Sequence, residues 1–465
     1  MSYERLFRNV LFPAFDSGIK RRGTLGYLRE YEANQWLDAM TLEQIRLAKL
    51  NRLLAHCWGT VPYLRRRWEA AGLEDRPLEH TSALARYPVM NKDEITANYE
   101  EMISIEWRGR TSSKATGGST GVPFRFQLTP ESDTRRNAVM WRGYRWAGAD
   151  IGRKTAYLWG TGFGGSATHR AKEWLYHRAF NRLMLNAFQL TETNAARYVR
   201  ALNKFRPSIV VGYVTPLVTL SRLVLEAGLE LPRPRAAITG AEGLYDAQRD
   251  LIARAFGCPV FNTYGSREFM LIAAECDRHS GLHVNADHLI VETVDGDDQP
   301  IHGEPGEVVI TDLHNFGMPF VRYRNGDLAT TSERDCPCRR GLPLLERIDG
   351  RRLDMIRTPD GRMLPGEFFP HLFKDFGFVR QFQVVQRRID EIEVALVAGP
   401  DVNQEGLARL RREMAVALGN RMRIVVDRVD AIPLTASGKR RVTVSLLDQG
   451  IDRTDRDTRV VVGEQ

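Results

Sequence analysis

Apolar residues recur at helical spacing through TLEQIRLAKLNRLLAHCWGTVPYLRRRWEAAGL, residues 41–73, and Pro62 breaks the run. AARYVRALNKF (195–205) predicts another helix. It alternates with short apolar runs in SIVVGY (208–213), RAAITGAEGL (235–244) and CPVFNTYGS (258–266). Strand, loop and helix in alternation predict a largely parallel sheet covered by helices. From GEVVITDL to FVRYRNGDLATT (306–331) the pattern turns to short strands joined by turns, a β-rich subdomain. RQFQVVQRRIDEIEVALVAG, helical EGLARLRREMAVAL and RMRIVVDRV then make a strand–helix–strand unit, which predicts a separate small α+β domain. The expected fold class is α/β: a large N-terminal domain (1–353) with mostly parallel sheets plus the β-rich subdomain, and a small C-terminal α+β domain (354–465). No internal repeat or low-complexity tract interrupts it.

Composition narrows the class. Hydrophobic residues make up 43% of 465, with 8 Trp, 20 Phe and 14 Tyr, enough for a sizeable globular core. No apolar run is long enough for a membrane span. The N-terminus lacks the pattern of a signal peptide. Five cysteines, an odd number, suggest reduced thiols and a cytoplasmic protein rather than a disulfide framework. The net charge of +8 suits anionic substrates such as nucleotides, and no motif points to nucleic acid. LFRNVLFPAFDSGIKRR (6–22) is both apolar and basic. It reads first as a helix packed on the body, and alternatively as a segment touching a membrane surface or polysaccharide machinery.

The stretch SSKATGGSTGVPFRF (112–126) packs glycines with hydroxyl residues. Such a loop can wrap N–H and O–H donors around a phosphate, or it can be an ordinary surface turn. It is not a P-loop, because Val122 rather than lysine follows Gly121, and it contains no dinucleotide fingerprint. YGSRE (264–268), YRNGD (323–327), GRRLD (350–354) and SGK (437–439) each read, alone, as turn chemistry.

Taken in this order, the five motifs resemble the adenylate-forming superfamily of acyl-CoA synthetases, peptide-synthetase adenylation domains and luciferase. VPYLRRRWEAAGL, LARYPVMNKDEI, AYLWGTGFGG, GYVTPLVTLSRLVLEAG and ITGAEGL are most similar to the phenylacetate–CoA ligase family and its capsule-cluster relatives. The resemblance implies an ATP-dependent enzyme that joins a carboxylic acid to AMP, releases pyrophosphate, and passes the acyl group to coenzyme A. An amine acceptor in polysaccharide or cell-surface synthesis is the alternative, and a non-catalytic nucleotide-binding scaffold a third. Gly118, Ser119, Thr120 and Gly121 would hold the phosphates, and Glu268 would help hold Mg²⁺. Gly240, Ala241 and Glu242 would line the adenine site, with Tyr264 and Gly265 beside the base. Asp327 and Arg351 would serve the ribose. Lys439 would reach the reacting groups from the small domain, which would turn about Asp354. Trp159, Gly160, Phe163, Gly165 and Tyr213 would line the acid pocket. The superfamily often carries a lysine in its phosphate loop, where this chain has Val122 and Phe124. A monomer or homodimer is expected.

Cys276, His283, Cys336 and Cys338 form a second pattern. Three thiolates and an imidazole suit a closed, tetrahedral, structural Zn²⁺ site, although the spacing is not that of a standard finger. The alternative is reduced cysteines on loops. Relatives in the phenylacetate–CoA ligase branch have a similar arrangement. Cys57 and Cys258 sit among apolar residues and read as core.

Overall fold

The computed structural model describes residues 3–116, 124–160, 167–244, 246–348, 356–364, 368–373, 375–432 and 443–447. The helices are α1 (Tyr3–Leu6), α2 (Thr24–Asn34), α3 (Ala39–Thr60), α4 (Pro62–Ala70), α5 (Lys92–Ala97), α6 (Tyr99–Met102) and α7 (Pro130–Trp146). They continue with α8 (Ala167–Ala179), α9 (Glu192–Phe205), α10 (Val214–Glu226), α11 (Asp246–Phe256), α12 (Phe368–Phe373) and α13 (Gln404–Leu418). Their starts follow from local chemistry. The Asp38 carboxylate accepts the Thr41 N–H, and Asn91 accepts that of Glu94. Pro62 and Pro130 open α4 and α7, where a missing N–H costs nothing.

The strands begin with a hairpin, β1 (Ser112–Ala115) and β2 (Arg125–Leu128). Then come β3 (Thr155–Trp159), β4 (Arg182–Asn186), β5 (Ile209–Tyr213), β6 (Ala236–Gly240), β7 (Val260–Tyr264) and β8 (Ala273–Glu275). β9 (Leu282–Val284), β10 (Leu289–Val294), β11 (Pro305–Asp312), β12 (Tyr323–Ser332) and β13 (Leu344–Ile348) complete one large sheet. Its order is β10-β11-β12-β13-β9-β8-β7-β6-β5-β3-β4. From β7 to β4 the pairs are parallel, and from β7 to β10 they are antiparallel. The expected parallel sheet and β-rich subdomain are therefore two halves of one sheet, joined at β7.

The C-terminal part contains β14 (Ile356–Arg357), β15 (Met363–Leu364), β16 (Val379–Arg388), β17 (Glu391–Ala398), β18 (Arg423–Arg428) and β19 (Thr443–Ser445). The stretch read as its first strand is a hairpin, β16–β17, turning at Ile389 and Asp390. α13 then returns the chain to β18, parallel to β17.

Two large apolar cores are interleaved along the chain. One joins residues 7–151 to residues 264–345, through Leu50, Trp68, Phe126, Phe269 and Phe320 among others. The other joins residues 156–260 to the C-terminal part, with Leu158, Val210 and Leu217 in one cluster with Phe368, Phe373 and Leu396. The N-terminal segment packs on the body, Phe7 lying 5.0 Å from Phe180, as the first of its two readings expects. Cys57 and Cys258 are buried. Among the described residues, no helix is long and apolar enough to cross a membrane.

Candidate active site

Parallel strands present their carboxyl ends on one edge, and ligands bind there where the strand order reverses. Here the chain runs from β3 outward to β4, then crosses back to β5, so the reversal lies between β3 and β5. Trp159 ends β3 and Tyr213 ends β5, and their rings lie 4.2 Å apart. Gly240 ends the adjacent β6, and Tyr264 ends β7. The edge thus gathers Trp159, Gly160, Tyr213, Gly240, Ala241, Glu242, Tyr264 and Gly265 across four neighbouring strands.

Two glycines there are required by space. A Cβ on Gly240 would stand 2.9 Å from Thr263 Oγ1, and one on Gly265 would stand 1.9 Å from the Met270 carbonyl oxygen. Ala241 adopts φ 68°, a left-handed conformation that is unfavourable with a side chain and often found at functional turns.

β12 bulges between Arg324 and Leu328, with Gly326 at φ 86°, and this puts Asn325 and Asp327 off the regular ladder. Tyr323, Asn325 and Asp327 meet the end of β7 and the turn that follows it. The Tyr264 hydroxyl donates to Asp327 Oδ2 at 2.9 Å and accepts from Asn325 Nδ2 at 2.7 Å. The Tyr323 hydroxyl donates to Glu268 Oε1 at 3.0 Å. Lys92, at the start of α5, lies 3.4 Å from the same oxygen. Burial opposes ionisation of Glu268, but Lys92 and hydrogen bonds outweigh it, so the carboxyl lies below its ordinary range and is an anion at neutral pH.

The glycine loop enters this arrangement by its base. The Thr116 N–H donates to the Phe124 carbonyl at 2.8 Å, closing the β1–β2 hairpin around it. The Phe124 ring stacks on Tyr323 at 5.8 Å, and Lys92 lies over Phe124 at 5.9 Å. Arg267 donates to the Ala115 carbonyl at 2.8 Å, tying the turn before Glu268 to β1. Gly118, Ser119, Thr120, Gly121, Phe163, Gly165, Arg351, Asp354 and Lys439 lie outside the described residues. Sequence reasoning assigned no role to Lys92, Tyr323 or Asn325. Tyr323 and Asn325 stand in YRNGD, the motif that supplied Asp327. Nothing local singled out Lys92.

A second cluster stands in the antiparallel half. The ligand atoms of Cys276, His283, Cys336 and Cys338 all lie within 4.8 Å of one another. Cys276 follows β8, His283 is on β9, and the other two occupy the β12–β13 connection. The N–H groups of Arg278 and Arg340 each point at a cysteine sulfur, at 3.4 Å. His279 and Arg339 take left-handed φ values of 50° and 66° in these two turns. His283 Nδ1 lies 3.2 Å from the Leu342 carbonyl, which leaves Nε2 toward the sulfurs, 3.2 Å from Cys338 Sγ. Burial pushes the imidazole down to about 4, so it is neutral. A neutral imidazole held by a carbonyl and sulfurs met by N–H donors are what a soft metal ion requires.

Residues 356–445 match the family described as CapK C-terminal domain. Protein CapK of Staphylococcus aureus is 28% identical over 77% of this chain and 79% of its own length. The phenylacetate-coenzyme A ligase of Thermus thermophilus is 26% identical over 82% of this chain and 88% of its own. The fold is shared with a crystal structure of 2-hydroxyisobutyryl-CoA ligase in complex with 2-HIB-AMP and CoA, at TM-score 0.60 and 19% identity, covering 89% of this chain and 92% of that one. Over most of its length this chain is similar to Protein CapK and to phenylacetate–coenzyme A ligases, and it shares the fold of an acyl-CoA ligase.

Proposed function

We propose that this protein activates a carboxylic acid with ATP, forming an acyl-adenylate and pyrophosphate, and then transfers the acyl group to coenzyme A. The observation that carries the reading is the meeting of the glycine-loop base, Glu268, Lys92 and the Tyr264–Asn325–Asp327 group beside the β3/β5 reversal. When the acid carboxylate attacks the α-phosphorus, charge grows on the departing pyrophosphate. Preorganised donors and cations stabilise that charge. The loop supplies N–H and hydroxyl donors, and Lys92 supplies the cation that position 122 lacks. Glu268 would hold Mg²⁺, which neutralises phosphate charge when bound. Its carboxylate suits a hard cation, and moving Lys92 from carboxylate to phosphate would free an oxygen. Asp327 would accept from the ribose hydroxyls while Asn325 and Tyr264 fix its orientation. Trp159 and Tyr213 would exclude water around the acid. Residues 354–465 would form the lid that brings Lys439 to the reacting carboxylate and turns about Asp354 for the second step.

The cysteine–histidine cluster would hold Zn²⁺ in a structural role, pinning the β8–β9 hairpin to the β12–β13 connection. A nucleotide- and coenzyme A-using enzyme with unpaired cysteines fits the cytoplasm. The test is pyrophosphate exchange into ATP without coenzyme A, across aryl, fatty and amino acids. Exchange with one class is the expected result. Coenzyme A and amines are then compared as acceptors, and product formed only with an amine would overturn the thioester step. ATP binding without exchange for any acid would favour a scaffold.

A further inference from the structure

A cavity of about 250 Å³ lies between β3, β4, α7 and α8. Trp159, Tyr157 and Tyr144 give it aromatic walls, and Met140 and Met184 add thioethers. Its basic groups are His177 and Arg182. Trp159 belongs to this cavity and also to the edge where the acid would react, touching Tyr213 and standing 4.0 Å from where a Cβ on Gly240 would be. In the parallel register Trp159 lies opposite Asn186, Tyr157 opposite Met184 and Thr155 opposite Arg182. Arg182 therefore sits four residues down the strand from the mouth, a separation of about 13 Å.

Arg182 has aromatic rings as its partners among the described residues, and His177 has an unmet ring nitrogen. The Arg182 guanidinium lies 5.0 Å from the Phe180 ring and 5.5 Å from Tyr157. Among the described residues no carboxylate pairs with it. Stacking on rings leaves its in-plane N–H groups available. His177 Nδ1 is buried without a hydrogen-bond partner. Burial, with Arg182 nearby, lowers the pKa of this histidine and keeps it neutral. Unmet donors and acceptors in an apolar cavity are costly, and a ligand that satisfies them binds better for it. The space suffices for a ring, since a cavity of about 150 Å³ holds benzene.

We propose that this cavity selects an aromatic carboxylic acid bearing a second oxygen acceptor, a hydroxyl or a carboxylate, on the ring edge remote from the reacting carboxyl. The ring lies among Tyr144, Tyr157 and the two methionines, and the remote oxygen accepts from Arg182. This rests on the acid-activating reading above.

The test compares three acids in pyrophosphate exchange: 3-phenylpropanoate, its para-hydroxy form and its para-carboxy form. At least one substituted acid should exceed the parent about tenfold or more in kcat/KM, mainly through KM. Which one does so distinguishes a neutral from an anionic acceptor. Arg182→Met should bring that ratio close to one, and Arg182→Lys should restore part of it. A parent acid as good as both substituted ones, or an unchanged ratio in Arg182→Met, overturns the proposal. Calorimetric titration of the same acids separates it from the parent reading. Binding that depends on Arg182, with no exchange for any acid, would keep the subsite and remove the activation step. Absence of Arg182-dependent binding and of exchange would remove both.

Discussion

Arg142–Asp287 and Lys92–Glu268 each bury a cation against a carboxylate, and they are built in opposite ways. Both side chains of the first pair have no exposure. Arg142 also donates to Asn285 Oδ1 and to the Tyr31 carbonyl, so its fork is filled by fixed acceptors. Lys92 keeps 19% of its side chain exposed and approaches Glu268 at 3.4 Å, longer than a good charged hydrogen bond. A saturated pair binds α2 and α7 to the β9–β10 connection and has nothing left to offer. A loose pair beside the base of the β1–β2 hairpin can exchange partners. Satisfaction, more than burial, separates the two pairs.

The contrast can be broken by substitution. Lys439→Ala should have the largest effect: exchange falls about 10²–10³-fold, as expected for loss of a transition-state donor. Nucleotide binding, read by calorimetry, should persist. Unchanged turnover would remove the role given to that lysine. Arg142→Met should leave Asp287 as a buried lone charge and cost about 3–5 kcal/mol, read by denaturant unfolding. Lys92→Met should lower exchange about 10²-fold and cost less stability than Arg142→Met, because the Tyr323 hydroxyl still donates to Glu268. If Lys92→Met unfolds the protein and Arg142→Met only slows it, the distinction is inverted. Metal analysis should find about one zinc per chain, and Cys336→Ser should lower both content and melting temperature. Absence of metal in both samples would end that assignment. The smallest effect concerns pH. Glu268 has a depressed folded pKa, so its contribution to stability is present above its unfolded pKa and disappears as pH falls through the folded one. Glu268→Gln should flatten the acid limb of the stability profile.

Much of this was legible before any coordinates. The strand runs 208–213, 235–244 and 258–266 each contain a parallel strand, and the residues closing them became the site edge. That follows from local physics, since a short apolar run closed by glycine states both the strand and its end. The β16–β17 hairpin was harder, because strands of ten and eight residues flank a turn without glycine. Lys92 was hardest. It stands 176 residues before Glu268, and only the packing of α5 against β12 and Phe124 brings the two together. Arg182 was missed for the same reason: parallel register, invisible in one strand alone, sets it below Trp159.

The interleaving of the two cores bears on how this chain is made. Leu50, Trp68 and Phe126 bury themselves against Phe269 and Phe320, and Arg142 finds its carboxylate only at Asp287. A ribosome delivering residue 151 must add more than a hundred others before those partners exist, about 10 s at ordinary elongation rates. During that interval the emerging N-terminal third has apolar faces and a buried-type arginine with nowhere to go. The newborn chain keeps that surface open to aggregation over the stretch, and truncations ending between the two halves of the first core should aggregate rather than fold.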